Sequence, residues 1–187
     1  MNTKNNPNPN NPARLSARNP QRHKRAQGFT IIELMITLTV AAILLAIAIP
    51  SFTYLTVSSK LTTTANSLVN ALGTARSEAI KRNTNVVVGT DGSVAITSVT
   101  PAVTINAAIP VQTPVIAMSI PAALTATPMG MLTSGGTAGF TGLAADVSST
   151  QISSNNHRCV YITTGTTITS CTDSVACQAG SPNASCK

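Results

Sequence analysis

The spacing of hydrophobic positions changes three times along the 187 residues. Residues 1–27 are polar and basic and hold almost nothing to bury. Residues 29–49 form an apolar run broken by a single charge, Glu33. Farther on, Leu61, Ala65, Leu68, Leu72, Ala75 and Ala79 recur in steps of four and three, which places them on one stripe of a helix. Lys60, Asn66, Asn70, Ser77 and Lys81 fall off that stripe, and Glu78 and Arg82 stand at i, i+4 in the favourable order. Asn83, Thr84 and Asn85 end the helical pattern.

Beyond Asn85 the spacing becomes that of strands. Val86–Val88 and the run from Val94 flank Thr90-Asp91-Gly92-Ser93, a hairpin signal with Asp-Gly in the turn. Between residues 100 and 136, Pro101, Pro110, Pro114, Pro121 and Pro128 interrupt short apolar pieces, so edge strands and loops are expected there rather than a central sheet. Residues 130–139 read as a flexible loop. The fold class expected is α+β: one long helix from about Phe29 to Arg82, its second half packed under an antiparallel β-rich head.

Composition supports the sheet. Charged residues are 9% and aromatics 3% of the chain, while β-branched residues abound, a mixture that favours strands over a soluble helical bundle. The net charge of +7 is a matter of location: Lys4, Arg14, Arg18, Arg22, Lys24 and Arg25 supply +6, leaving +1 for residues 29–187. A basic stretch ahead of an apolar run fits the positive-inside rule and places residues 1–28 in the cytoplasm. Read as a nucleic-acid arm, the same charges would have to persist in the mature protein. The Asn/Pro-rich start is expected to be a disordered tail, and its length depends on which start codon is used.

As a helix, the 21 residues 29–49 extend ~31 Å, one hydrocarbon thickness. An ordinary signal peptide is the competing reading, because Ala46-Ile47-Ala48 imitates a small-x-small cleavage site. Against it stand Glu33 and a helical pattern that continues past Ala48. A carboxylate in such a run is costly and calls for a partner. Near a helix end it could instead reach back to the headgroups. Pro50 is expected to bend or loosen the helix, which a packed or membrane helix tolerates.

Gly28-Phe29-Thr30 followed by Ile31-Ile32-Glu33-Leu34 resembles the class III signal of type IV pilins and type II secretion pseudopilins. The resemblance implies that a prepilin peptidase cuts between Gly28 and Phe29, that Phe29 becomes the N-methylated first residue, and that Glu33 is the fifth. It also supplies the partner: in a filament, Glu33 can neutralise the α-ammonium of Phe29 on a neighbouring subunit, and a paired charge costs far less in an apolar medium than a lone one. Pro50 matches a proline common at that mature position. Residues 61–82, Phe140-Thr141-Gly142, Arg158-Cys159-Val160-Tyr161-Ile162, and Gly165 as the turn of a closing hairpin are similar to the GspH/FimT/FimU-like branch of minor pilins and pseudopilins. Residues 98–136 show no such likeness, and the Trp that such heads often carry is missing.

Cys159, Cys171, Cys177 and Cys186 are even in number and lie on the side expected to face an oxidising periplasm, so two disulfides are expected. Four cysteines allow three connectivities. Cys159 and Cys171 lie six residues either side of Gly165, so a hairpin turning there sets them opposite each other, which favours a Cys159–Cys171 bond and leaves Cys177 with Cys186. No spacing supports a metal site.

No catalytic constellation is legible. Glu78, Asp91, Asp146 and Asp173 are scattered, His157 reads as a solvated turn residue, and Gly135-Gly136 lacks the Lys-Ser/Thr of a phosphate loop. Some relatives in this branch bind DNA through an Arg-bearing closing hairpin; here Gly165-Thr166-Thr167-Ile168 carries no cation, and past the helix only Arg158 and Lys187 are basic. Phe140 and Tyr161 are better placed in a core than as stacking platforms.

The combined expectation is a structural, non-enzymatic subunit without cofactor. Residues 1–28 form a removable leader, 29–50 a membrane and filament-core helix, 51–84 an amphipathic helix and 85–187 a periplasmic head. Its expected partners are other pilins, the prepilin peptidase and an inner-membrane assembly platform. The alternatives are a DNA-uptake or adhesion receptor acting through the head, and an exported soluble protein.

Overall fold

The computed structural model describes residues 28–97, 101–136, 139–182, 184 and 186. Residues 1–27 of the leader, residues 98–100 and Lys187 lie outside them. The chain divides into two units, Met1–Ala42 and Ile43–Lys187.

One helix, α1, runs Ile31–Arg82. Its buried residues beyond Pro50 are Val57, Leu61, Thr64, Ala65, Leu68, Ala71, Leu72, Ala75 and Ala79, the stripe laid down by the four-three spacing. Leu61, Leu68 and Leu72 are essentially sealed from solvent, and each such side chain contributes about 1.5–3 kcal/mol of burial. Off the stripe, Arg82 Nε donates to Glu78 Oε2 at 2.6 Å. The helix stops where Asn83 turns to φ 49°. The Thr84 N–H then reaches the Ala79 carbonyl (3.2 Å) and the Asn83 N–H that of Ile80 (3.3 Å), a Schellman closure with Asn in the left-handed position.

Among the described residues nine strands follow, all paired antiparallel. In the first sheet the order is β3-β2-β1-β5-β6, from β1 (Val86–Val88), β2 (Val94–Ile96), β3 (Val103–Asn106), β5 (Leu124–Ala126) and β6 (Leu132–Ser134). The Asp-Gly hairpin joins β1 to β2, with Val88 opposite Val94. In the second sheet the order is β4-β7-β8-β9, from β4 (Ala117–Ser119), β7 (Gly142–Ser148), β8 (His157–Thr163) and β9 (Thr167–Asp173).

Two expectations for the Pro-rich stretch need correction. Although β3 and β4 are edge strands, β5 lies between β1 and β6, because the nearest prolines, Pro121 and Pro128, flank the three paired residues without removing any ladder donor. The supposed loop at 130–139 contains β6, whose Leu132 is fully buried.

The helix stripe, the inward residues of the first sheet, and Ala145, Val147, Val160 and Ile162 of the second make one core. On the other parity, Leu143, Cys159 and Tyr161 form a second cluster with Cys171, Cys177 and Cys186. Both faces of β8 are therefore covered, which is why it reads as a nearly continuous apolar run. The outer cover is the C-terminal tail. The Leu143 N–H donates to the Ala179 carbonyl (2.9 Å), the Tyr161 hydroxyl to that of Gln178 (3.0 Å), and the Cys177 N–H to Asp146 Oδ2 (3.3 Å).

Gly165 turns β8 into β9 at φ 71°, and a Cβ there would stand 2.7 Å from the Gly139 Cα. Its N–H donates to Phe140 and its carbonyl accepts from Leu132, so this turn also ties the two sheets together. Conformation and close approach both require glycine.

Candidate functional site

Gly28, Phe29 and Thr30 precede the helix and are exposed. Thr30 caps it: its Oγ1 accepts the Glu33 N–H at 3.2 Å, making Glu33 the third helical residue. Thr-x-x-Glu ahead of an apolar run is the signature of a capping box, and a carboxylate in the first turn also meets the positive end of the helix dipole. The local signal for this helix start is Thr30-Ile31-Ile32-Glu33 itself. Among the described residues no cation forms an ion pair with its carboxylate.

The apolar run is open along its whole length. Leu34 is 56% exposed, Ile47 72% and Phe52 72%, and an 18-residue window of mean hydropathy 2.6 has none of its residues buried. A contiguous apolar surface of this length marks lipid or protein contact. Its threonine hydroxyls are already satisfied: Thr37 donates to the Leu34 carbonyl (2.9 Å) and Thr39 to that of Ile36 (2.8 Å). The helix can thus enter a medium without water and leave no threonine donor unmet. It also continues through Pro50, which withholds a donor from the Ala46 carbonyl, while Thr53 Oγ1 donates to that of Ile49 at 3.1 Å.

The four cysteines form two disulfides, paired otherwise than the hairpin geometry favoured. Cys159 and Cys171 do face each other in the β8–β9 register. Yet Cys159 is bonded to Cys177 and Cys171 to Cys186, with Cα separations of 5.6 and 5.3 Å. The reason is the tail, which returns over the outer face of β7 and β8 under its own hydrogen bonds and brings Cys177 to β8 and Cys186 to β9.

His157 is likewise corrected. It opens β8, is half-buried, and its Nδ1 lies 2.8 and 3.0 Å from the two oxygens of Asp146 on β7. Asp146, His157 and Cys177 come together, as do Cys159, Cys171 and Cys186, but every sulfur in these groups is in a disulfide and offers no thiolate to a metal.

Arg158 is 9% exposed and is turned onto α1. Nε donates to Thr62 Oγ1 (3.2 Å), Nη2 to Ser58 Oγ (2.9 Å), and Nη1 to the carbonyls of Asn155 (2.7 Å) and His157 (3.1 Å). Burial pushes its pKa down and the nearby Tyr54 opposes that shift, but a guanidinium stays charged. A second clamp, Arg76, donates from Nε to Gly130 and from Nη1 to Thr166 (both 2.8 Å). Nothing local in the sequence announces either clamp, since the partners each arginine reaches on another element lie 54 to 100 residues away.

A family model for the prokaryotic N-terminal methylation motif matches residues 23–49, and the model for type II transport protein GspH matches residues 64–181. No curated protein and no solved structure matched the chain.

Proposed function

The chain belongs to the type II transport protein GspH family and is a minor pilin or pseudopilin, and from that premise we propose that it is a structural subunit assembled through its N-terminal helix into a type IV pilus-like or type II secretion filament. The chain is held in the inner membrane by residues 29–49 with the head in the periplasm. A prepilin peptidase cuts between Gly28 and Phe29, and Phe29 is methylated. The helix then exchanges lipid for neighbouring pilin helices, with Glu33 meeting the new α-ammonium of Phe29 on another subunit.

The observation that carries this reading is the uncovered apolar helix surface, which holds one carboxylate, Glu33, inside the methylation motif. Packing is the mechanism. Side chains that gain nothing by leaving lipid for similarly apolar neighbours associate through van der Waals fit, so a charge pair fixes the step between subunits. The head then decides which subunits are neighbours.

The DNA-receptor reading draws no support from the head, because Arg158, one of its two cations past the helix, spends its donors on α1 and adjacent backbone.

Co-expression of the full chain with a prepilin peptidase, followed by mass spectrometry of the membrane fraction, tests the proposal. An N-terminal peptide beginning at methylated Phe29 is expected. A mature start at Ile49, the product of ordinary signal cleavage, would overturn it.

A further inference from the structure

A crevice of about 350 Å³ opens at the foot of the head, lined by Pro50, Thr53 and Tyr54 of α1 and by Gln151, Ile152 and Ser153 of the loop between β7 and β8. We infer that this crevice holds the phosphate headgroup of an anionic phospholipid from the bilayer that carries the helix, an inference that rests on the membrane-spanning reading above.

Depth is the first argument. The apolar run ends at Ile49, and Tyr54 lies five residues farther along the helix, ~7.5 Å, which is within the headgroup layer of a bilayer that the run just spans. Phe52 and Leu55 are 72% and 63% exposed on the same turns. An aromatic pair, Phe52 and Tyr54, at this level is an interfacial anchor.

Charge is the second argument. Arg158 lies behind Tyr54: the Asn155 side-chain N–H donates to the Tyr54 hydroxyl oxygen, and the Asn155 carbonyl accepts from Arg158 Nη1. Its four hydrogen bonds all go to neutral acceptors and use four of its five N–H groups. Among the described residues no carboxylate pairs with it. A buried cation without a counter-anion leaves a positive potential at the site.

The donors form the third argument. Tyr54 accepts the Asn155 side-chain N–H at 3.4 Å and keeps its own proton to give, and the Gln151 amide and Ser153 hydroxyl line the same crevice. A phosphate oxygen accepts from all three types of group. The quaternary cation of a zwitterionic choline headgroup would be repelled by the same potential that attracts an anionic glycerol headgroup.

Native mass spectrometry of the purified full chain, given equal amounts of phosphatidylglycerol and phosphatidylcholine, tests the inference. About a tenfold preference for retaining one phosphatidylglycerol is expected. Ser153→Asp places a carboxylate at an exposed crevice position and is expected to abolish the preference with the thermal midpoint unchanged. Equal retention of the two lipids overturns the inference, as does an undiminished preference in Ser153→Asp. Displacement of the lipid by millimolar inorganic phosphate would also overturn it, by showing that free anion is the ligand. Flotation with vesicles of either lipid reports separately on anchoring: failure to float with both sinks the membrane-spanning reading, whereas the lipid preference read by native mass spectrometry decides the crevice.

Discussion

Cys159 and Cys171 stand opposite each other across β8 and β9, and each is bonded to the tail instead of to the other. The bonds close sequence separations of 18 and 15 residues and fasten two neighbouring strands to one returning segment. Non-reducing peptide mapping should yield a Cys159–Cys177 and a Cys171–Cys186 pair, and a Cys159–Cys171 peptide would refute this connectivity. Cys177→Ser frees the near half of the tail and is expected to cost about 2–4 kcal/mol in urea unfolding of the oxidised protein.

Arg158 joins β8 to α1 through Thr62 and Ser58 while satisfying two nearby backbone carbonyls, of Asn155 and His157. Arg158→Met keeps most of the buried stem but strands those carbonyls, so a loss of about 2–4 kcal/mol is expected in the same unfolding assay. Arg158→Lys should recover only part of it, because one ammonium cannot reproduce the planar fork that meets partners on three sides.

Asp91 holds the β1–β2 turn by accepting from the Ser93 hydroxyl (2.6 Å) and the Ser93 N–H (3.0 Å). These bonds, the side-chain one first, lower its pKa from the ordinary carboxylate value. A lowered folded-state pKa means that the contribution is complete above the unfolded value of about 3.9 and is lost as pH falls through the folded value. Urea midpoints measured from neutral pH down to about pH 2 should therefore fall less steeply for Asp91→Asn than for the parent.

Glu33 has two roles that substitution can separate. Glu33→Gln preserves the backbone cap from Thr30 and a side chain of the same length, and it removes only the charge. If the charge sets the step between subunits, Glu33→Gln is processed at Phe29 as the parent is but enters filaments at least about tenfold less, a loss of roughly 1.4 kcal/mol or more in assembly. Immunoblots of sheared filament and membrane fractions would measure this. Normal incorporation would leave Glu33 a first-turn acid at the positive end of the helix dipole and nothing more.

Much of the molecule was legible in the sequence because its signals are local. The four-three spacing from Leu61 to Ala79 marked the buried stripe of α1, and Asn83 marked its end. Asp91-Gly92 gave the β1–β2 hairpin, and Gly165 gave the turn that sets Cys159 opposite Cys171. The apolar run and the motif around Gly28 and Glu33 gave the family. Tertiary structure alone decided which cysteines bond, where Arg158 and Arg76 spend their donors, that His157 meets Asp146, and that β5 is an inner strand. Each of these depends on segments far apart in the chain, and sequence spacing fixes periodicity within an element without fixing which face a distant element covers. The tail is the clearest case: a polar stretch with two cysteines carries no periodic signal, and only its return across β7 and β8 gives those cysteines their partners.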